Sequence, residues 1–340
     1  MASHAELSLN HLSDRQLADI RSWEEVVRRG NLVGHARDDA AIVLASNQST
    51  AMVYCVQYHS VPRIGTPEYE SLELAASDPT TLAIYWGVYT DGWANPPPLW
   101  SKNIHVVDLT GTTWATGRNR LLRLAERDYI LDTRNITPQR RYRFDYVVMA
   151  DADIFLWQTC CTSHKECAVA RAFLAPSHSN GLSGDFISPE RTHICRQQFN
   201  SHLAAKMPKV GVIAKKRAVL EALWSQVTGT HSHSYYSFSH PFPDAFYNVF
   251  RHDVVDSILP YNTAMDDIGY WHAQIFVWLK AVCLFGHNHT ILALASAIAV
   301  AEKEQHSGYP RTMGNLAGGL FSAEKAKILN DPRCVWHIRR

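Results

Sequence analysis

The sequence predicts an α/β fold: a Rossmann-type mixed, mainly parallel sheet flanked by helices. Two observations lead to this prediction. Segments typical of strands and of helices alternate through residues 51–150, which favours parallel strands joined by crossover helices. The fourth strand is an apolar run followed by Asp151 and Asp153, and in α/β proteins ligands bind at the carboxyl ends of the strands. Fold class and site position are therefore predicted from the same part of the chain.

Length and composition bound the class of protein. The chain has 340 residues, 46% of them hydrophobic, which is enough for one large globular domain or for two domains. Its 33 basic residues balance 32 acidic ones, so no polyanion-binding face and no nucleic-acid partner are expected. Seven cysteines without a CxxC pair argue against a structural zinc site and permit one or two disulfides as well as free buried thiols.

The cellular compartment stays open at this stage. The first residues lack the basic start and apolar core of a signal peptide, and the longest apolar run, residues 290–301, is too short to span a bilayer. As given, the chain is expected to be cytoplasmic and without a membrane span. Sequons at Asn47, Asn135 and Asn288 permit a Golgi lumen location if an anchor lies outside the chain.

The first half is interpreted as four strands and two helices after an N-terminal helix. Strands rich in β-branched and aromatic residues are predicted at residues 51–59, 81–89, 103–109 and 146–150. Helices are predicted at residues 13–29, 67–77 and 116–129, the last with a basic face.

The second half is less regular. Helices are predicted at residues 188–205, 214–227, 266–282 and 290–304. An antiparallel strand is predicted over 209–213, and residues 228–243 form a loop rich in His, Ser, Tyr and Pro. No internal repeat or low-complexity linker divides the halves, so one continuous fold is expected.

Asp151 and Asp153 are the first candidate site. Residues i and i+2 of a strand point the same way, and a local break at the strand end lets both carboxylates face one cation. Carboxylates on a hard metal such as Mg²⁺ or Mn²⁺ commonly hold a substrate phosphate. The competing interpretation is a pair of solvated turn aspartates, and the central position of the strand favours the metal site.

A glycine loop that leads into a basic helix is the second candidate. Gly111 precedes a predicted helix that carries Arg118, Asn119 and Arg120 near its start. A helix N-terminus attracts phosphate through free N–H groups, Arg clamps oxyanions through two donors, and the Asn119 amide suits a ribose or base edge. For any one of these residues, an ordinary basic surface helix is an equally good explanation.

Asp266 and Asp267 open the predicted helix over 266–282 and are the third candidate. Acids at a helix start are favoured by capping and by the helix dipole, which is the simple interpretation. The functional interpretation is a general base that takes the proton of an acceptor hydroxyl. In that case Trp271 and His272 are expected to line the acceptor pocket.

His306 is the fourth candidate, in a loop just past the predicted helix over 290–304. A neutral imidazole there would complete an octahedral metal site with Asp153 and phosphate oxygens. Among 18 histidines, any one is more often structural or exposed than a ligand. His287, His289 and His337 are rival candidates.

In the order of these motifs the chain resembles the GT-A superfamily of nucleotide-sugar-dependent glycosyltransferases, over roughly residues 50–310. Asp151-Ala-Asp153 resembles its acidic DxD motif, and residues 116–122 its nucleotide-contacting helix. Asp266-Asp267 resembles the acidic motif of its acceptor helix, and His306 its C-terminal metal histidine. More narrowly, residues 259–274 followed by Gln305-His306 are similar to STELLO-type glycosyltransferase-like proteins.

The resemblance implies a metal-dependent glycosyltransferase with Mn²⁺ or Mg²⁺ as cofactor. It would move a sugar from a nucleoside-diphosphate sugar to a glycan, protein or lipid hydroxyl, with inversion if Asp266 or Asp267 is the base. Asp153 and His306 would bind the metal, and Asp151 the metal or the ribose. The implied nucleotide-sugar contacts are Gln57, Tyr58, Gly111, Arg118, Asn119 and Asp151.

The expected organisation is a helical extension over 1–50 and one GT-A-like domain over 51–340. Within the domain, residues 51–157 would form the nucleotide-binding half and 158–340 the acceptor half. The helical segment over 10–30 and the loop over 228–243 have no obvious counterpart in the superfamily.

Two other functions remain open at this point. A phosphatase of the haloacid-dehalogenase type also has Asp-x-Asp after an apolar strand, with the first acid, here Asp151, as nucleophile. Its motif normally begins the domain, and Phe155 stands where Thr or Val is usual. The other alternative is a non-catalytic sugar-binding protein on the same fold.

Overall fold

The computed structural model describes ten stretches of the chain: 50–89, 100–131, 141–152, 154–158, 189–215, 247–264, 266, 270–285, 291–301 and 318–334. The predicted helix over 13–29 and the predicted loop over 228–243 lie outside these residues.

Eight strands in these stretches form one sheet. They are β1 (Met52–Tyr58), β2 (Thr81–Val88), β3 (Ile104–Asp108), β4 (Tyr146–Asp151), β5 (Ile154–Gln158), β6 (Val210–Lys215), β7 (Tyr247–Arg251) and β8 (Ile291–Ala301). Their spatial order is β3-β2-β1-β4-β7-β6-β8-β5. β1 to β4 are parallel, as are β6 and β8, whereas β7 is antiparallel to both neighbours and β5 to β8. The predicted α/β fold with a mixed, mainly parallel sheet is confirmed.

Helices accompany the sheet on both faces. They are α1 (Pro67–Ser77), α2 (Trp114–Tyr129), α3 (Pro189–Lys206), α4 (Val255–Ile258), α5 (Tyr270–Phe285) and α6 (Gly318–Leu329). α2 begins at Trp114, two residues before the predicted start, because Thr113 and Thr116 form a capping box. None of the helices that the structure describes combines the length and apolarity needed to cross a membrane.

Alternation along β1 assigns its side chains to two cores. Tyr54 and Val56 pack with residues of α1 and α3, whereas Val53 and Cys55 pack with residues of α2 and α5. The central strands are thus buried on both faces, which is why they appear in the sequence as continuous apolar runs. The carboxyl ends of β1, β2, β3 and β4 share one edge of the sheet, because these strands are parallel.

The predicted helix over 290–304 is wrong, because Ile291–Ala301 is the strand β8. It pairs with β6 over residues 291–294 and again at 298–299, and with β5 over residues 297–301. A continuous apolar run without alternation fits a buried helix and a buried strand equally well. The pairing partners on both sides are what select the strand.

Other elements differ at their boundaries or were not anticipated. The strand predicted over 209–213 is β6; it is antiparallel to β7 as expected, but parallel to β8. It extends to Lys215, so the helix predicted from residue 214 is wrong at its first two residues. α5 begins at Tyr270 rather than at residue 266. The sequence analysis did not anticipate β5, β7, α4 and α6.

Candidate functional site

The carboxyl ends of β1 and β4 place two polar side chains next to each other. Gln57 is the register partner of Asp151 in the parallel pair. Cys55 and Met149, two residues earlier on the same strands, lie in the core beside α2. Because side chains alternate along a strand, Gln57 and Asp151 face α2 as well. On the face of the sheet that α2 covers, the apolar side chains of β1 and of β4 are therefore each followed by a polar side chain.

Arg118 of α2 binds both of these side chains. Its Nε donates to Gln57 Oε1 at 3.0 Å and its Nη2 to Asp151 Oδ1 at 2.8 Å. Its Nη1 donates to the hydroxyl of Tyr261 at 3.2 Å. The Arg118 side chain is completely buried, whereas that of Asp151 is 23% exposed. The pair therefore joins the interior of the fold to the sheet edge.

The surroundings of Arg118 keep it charged. Burial acts to lower the pKa of Arg118, but the charge of Asp151 and the contacts with Tyr261 and Asp151 outweigh it, so the pKa is raised above its ordinary value. The guanidinium carbon lies 4.1 Å from the centre of the Trp114 ring and 5.6 Å from that of Tyr261, within cation–π range. Arg118 thus lies beneath the edge in a fixed position rather than on an exposed basic helix face.

Asn119 connects α2 to the segment that follows α4. Its Nδ2 donates to the Tyr261 carbonyl and its Oδ1 accepts from the Tyr261 N–H, both at 2.8 Å. Sequence reasoning did not assign a role to Tyr261, because no short-range spacing links it to Arg118, 143 residues away. The predicted nucleotide contacts of Arg118 and Asn119 remain predictions.

Asp266 lies at the N-terminus of α2, not at the start of α5. Its Oδ2 accepts the hydroxyl proton of Thr113 and the backbone N–H of Thr116, the latter at 3.2 Å. A carboxylate there is stabilised by the helix dipole. The helix start that was expected to attract a phosphate thus has a buried carboxylate of the chain itself against it.

Gly117 allows α2 to approach the end of β1. Gln57 Nε2 donates to the Tyr89 hydroxyl at 2.5 Å and to the Trp114 carbonyl at 3.0 Å. A Cβ atom on Gly117 would lie 2.6 Å from both Gln57 Nε2 and Tyr89 Oη, too close for any real contact. The position of the Gln57 amide therefore depends on the missing side chain.

Replacement of Gly117 by Ala should lower the free energy of unfolding by about 1–3 kcal/mol, because the new methyl group displaces the Gln57 amide. Urea unfolding measures this loss. The matched control is Gly319→Ala in α6, where no atom lies within 4 Å of the added Cβ and alanine favours the helix. Equal stabilities of the two variants would contradict the prediction.

The remaining predicted residues are placed as follows. Tyr58 ends β1, with its ring centre 4.1 Å from that of His59. Gly111 has a φ of +73°, a conformation that glycine adopts readily. The His272 ring contacts Phe321 of α6, with centres 5.3 Å apart. Asp153, Asp267, His306 and the side chain of Trp271 lie outside the described residues.

Only some of the predicted metal ligands belong to the part of the chain that the structure describes. Among the stretches that the structure describes, no three His, Cys, Asp or Glu side chains are placed to hold an ion. Asp151 offers a hard carboxylate at the sheet edge, which suits Mg²⁺ or Mn²⁺, although its Oδ1 is engaged by Arg118. Asp151 fits as one contributor to such a site, and the other predicted ligands lie outside the described residues.

Comparison with known proteins gives remote similarities. No protein-family model and no curated protein matches the sequence. The chain is similar to the mannosyltransferase PcManGT from Pyrobaculum calidifontis, solved in complex with GDP-Man and Mn²⁺: identity is 13% and the TM-score 0.43, over 95% of this chain and 76% of that one. It is also similar to TarS 1-349 from S. aureus, with 11% identity and a TM-score of 0.33 over 73% and 59% of the two chains. Values this low carry no inference about activity.

Proposed function

We propose that the chain is a glycosyltransferase that uses a nucleoside-diphosphate sugar and a divalent metal. The observation that carries the proposal is the group formed by Gln57, Arg118 and Asp151. It fixes an acidic side chain at the shared carboxyl edge of parallel strands, where α/β proteins bind nucleotides. The motif order of the GT-A superfamily supports the same function. The narrower similarity to STELLO-type proteins remains a prediction.

The two aspartates of the acidic motif receive different roles in this proposal. Asp151 already neutralises Arg118, so its carboxylate suits a contact with the ribose hydroxyls better than a dominant share in the metal. Asp153 and His306 are then the principal metal ligands. A bound Mn²⁺ or Mg²⁺ would neutralise charge on the leaving diphosphate. Arg118 and Gln57 position Asp151 and do not need to touch the substrate.

The general base is proposed to be Asp267 rather than Asp266. Asp266 is buried and its Oδ2 holds Thr113 and Thr116 at the start of α2, which favours a capping role. Its sequence neighbour Asp267 would take the proton from the acceptor hydroxyl as that hydroxyl attacks the anomeric carbon. With a base in this position, the reaction inverts the configuration of the sugar. A glycan, protein or lipid hydroxyl remains the proposed acceptor.

The decisive test is Asp153→Asn, assayed for Mn²⁺-dependent release of nucleoside diphosphate from a panel of nucleotide sugars. We expect a loss of about 10²–10³-fold, the range for removing one group that stabilises developing charge. The matched control is Asp108→Asn, an aspartate at the carboxyl end of strand β3 in the same sheet, whose Oδ1 accepts the Thr110 N–H. This control should keep its activity.

The alternatives predict different results in the same assay. Unchanged turnover in the Asp153→Asn variant would contradict the proposal. Hydrolysis of aryl phosphates that is lost in Asp151→Asn would identify a phosphatase. Metal-dependent nucleotide binding without turnover in the wild-type protein would identify a sugar-binding protein.

A further inference from the structure

A cavity of about 50 Å³ lies between α1, α3 and the sheet, on the face opposite α2. Its walls come from β1, β2, β7, α1 and α3, and it reaches Ala150, Asp151 and Ala152 at the end of β4. A cavity needs roughly 10–15 Å³ for each water molecule, so this one has room for about four waters or one small anion. Arg118 and Gln57 lie on the other face, and Asp151 at the end of β4 is the residue that the cavity shares with their group.

Arg196 of α3 lines this cavity and is only 9% exposed. Its Nη1 makes one long hydrogen bond, 3.5 Å, to the Ser71 carbonyl, and its guanidinium carbon lies 5.7 Å from the centre of the Tyr54 ring. Its buried Nε has no hydrogen-bond partner among the described residues. None of the ion pairs found in those residues includes Arg196.

The groups around Arg196 do not supply its counter-charge. The Asp78 carboxylate accepts hydrogen bonds from Thr80 and Gln197 instead. Burial raises the pKa of both Tyr54 and Tyr247, so the two phenols stay neutral. Two carboxylates also line the cavity: the half-buried Glu68, which forms no ion pair with Arg196, and Asp151, whose Oδ1 is paired with Arg118 instead. Burial of a charge without a partner is costly, so an anion in the cavity would relieve a real penalty.

We propose that this cavity binds one small oxyanion, a phosphate or carboxylate group, through the guanidinium of Arg196. The planar guanidinium offers two parallel N–H donors to such a group, and the unpartnered Nε is one of them. The proposal does not depend on the transfer reaction, because the oxyanion is either free or borne by a substrate.

Thermal unfolding at constant pH and ionic strength tests the proposal, with sodium phosphate or sodium acetate in place of sodium chloride. We expect Tm to rise by about 2–4 °C once the binding anion is roughly tenfold above its Kd. Arg196→Met should lose this rise completely. The matched control is Arg123→Gln, an exposed arginine of α2 that should leave the rise unchanged.

Two further measurements separate binding from a structural role of Arg196. In chloride alone, Arg196→Met should unfold at the wild-type temperature or above it, because it removes an unpaired buried charge. Ser71→Leu fills the cavity from α1 without touching the charge, and it should also abolish the rise. A wild-type protein with no rise, a rise of equal size in Arg196→Met, or a large drop of Tm for that variant in chloride would each overturn the proposal.

A final arm identifies the source of the oxyanion. The phosphate titration is repeated with saturating GDP or UDP and Mn²⁺. A rise that persists supports a site for a free anion or for an acceptor group, and a rise that disappears supports occupation by a phosphate of the nucleotide. A lack of transferase activity would leave either result intact, so failure of the proposed function and failure of this inference are distinguishable.

Discussion

Replacement of Arg118 by Met should lower the free energy of unfolding by about 3–5 kcal/mol, the range seen when one partner of a buried ion pair is removed. The variant deprives Gln57, Asp151 and Tyr261 of their donor at once. Asp151 is partly exposed to solvent at the edge of the sheet. Gln57 and Tyr261 are buried, so each would need a new hydrogen-bond partner. Urea unfolding, with the slope of the transition compared between variants, measures the loss.

Arg120→Met is the matched control for this variant. Arg120 belongs to the same helix but is exposed, so its replacement should change stability by no more than about 0.5 kcal/mol. A double-mutant cycle with Asp151→Asn should show a coupling of about 0.5–3 kcal/mol between the two side chains. A loss below 1 kcal/mol for Arg118→Met would show that Arg118 does not organise the sheet edge.

Removal of the disulfide between Cys283 and Cys334 should lower the free energy of unfolding by about 4 kcal/mol. The bond joins α5 to the segment after α6 and closes a loop of 51 residues. In the chain-entropy model, a loop of that length contributes about 4 kcal/mol through the unfolded state. The variant Cys283→Ala with Cys334→Ala, unfolded in urea without reductant, measures the effect.

The control for the disulfide variant is Cys55→Ala. Cys55 is a free, buried thiol, and burial raises its pKa. Because Cys55 is buried and forms no disulfide, its replacement measures the packing cost of deleting one buried sulfur atom. The double variant should lose more than twice that cost. A loss equal to twice the Cys55→Ala value would mean that the bond constrains the unfolded chain very little.

Local sequence signals predicted the first half of the fold closely. Pro67–Ser77 matches its prediction at both ends, because Thr66 caps the helix and Pro67 suits its first position. The strands before and after this helix, β1 and β2, contain β-branched residues and are bounded by turn residues. These signals depend on a few neighbouring residues, so they can be recognised without knowledge of the tertiary structure.

The second half depended on contacts that the sequence does not display. β8 is apolar except for Ser296, and pairing with β5 and β6, rather than its own pattern, decides that it is a strand. β5 follows Asp151 after two residues and was not anticipated, because the predicted fourth strand ended at residue 150. Periodicity cannot tell a strand from a helix in such continuous apolar runs.

In the candidate site too, local sequence signals predicted some features and tertiary contacts decided the others. Arg118 and Asp151 were identified as candidates because motif position and residue chemistry are visible in the sequence, whereas Gln57 was implied only by the resemblance to the GT-A superfamily. Their mutual bonds depend on strand register and on the approach of α2 to the sheet. Asp266 was expected at the start of its own helix, whereas it lies at a helix start 150 residues away, a contact that no local pattern predicts.

The short connection between β4 and β5 restricts how this sequence can change in length. Two residues, Ala152 and Asp153, join strands that pair with different partners: β4 with β1 and β7, and β5 with β8. A deletion there leaves too little chain to join the two strands, so one strand must slip, and a slip by one residue turns every side chain to the opposite face. Homologous sequences should therefore vary in residue type at this connection far more readily than they shorten it.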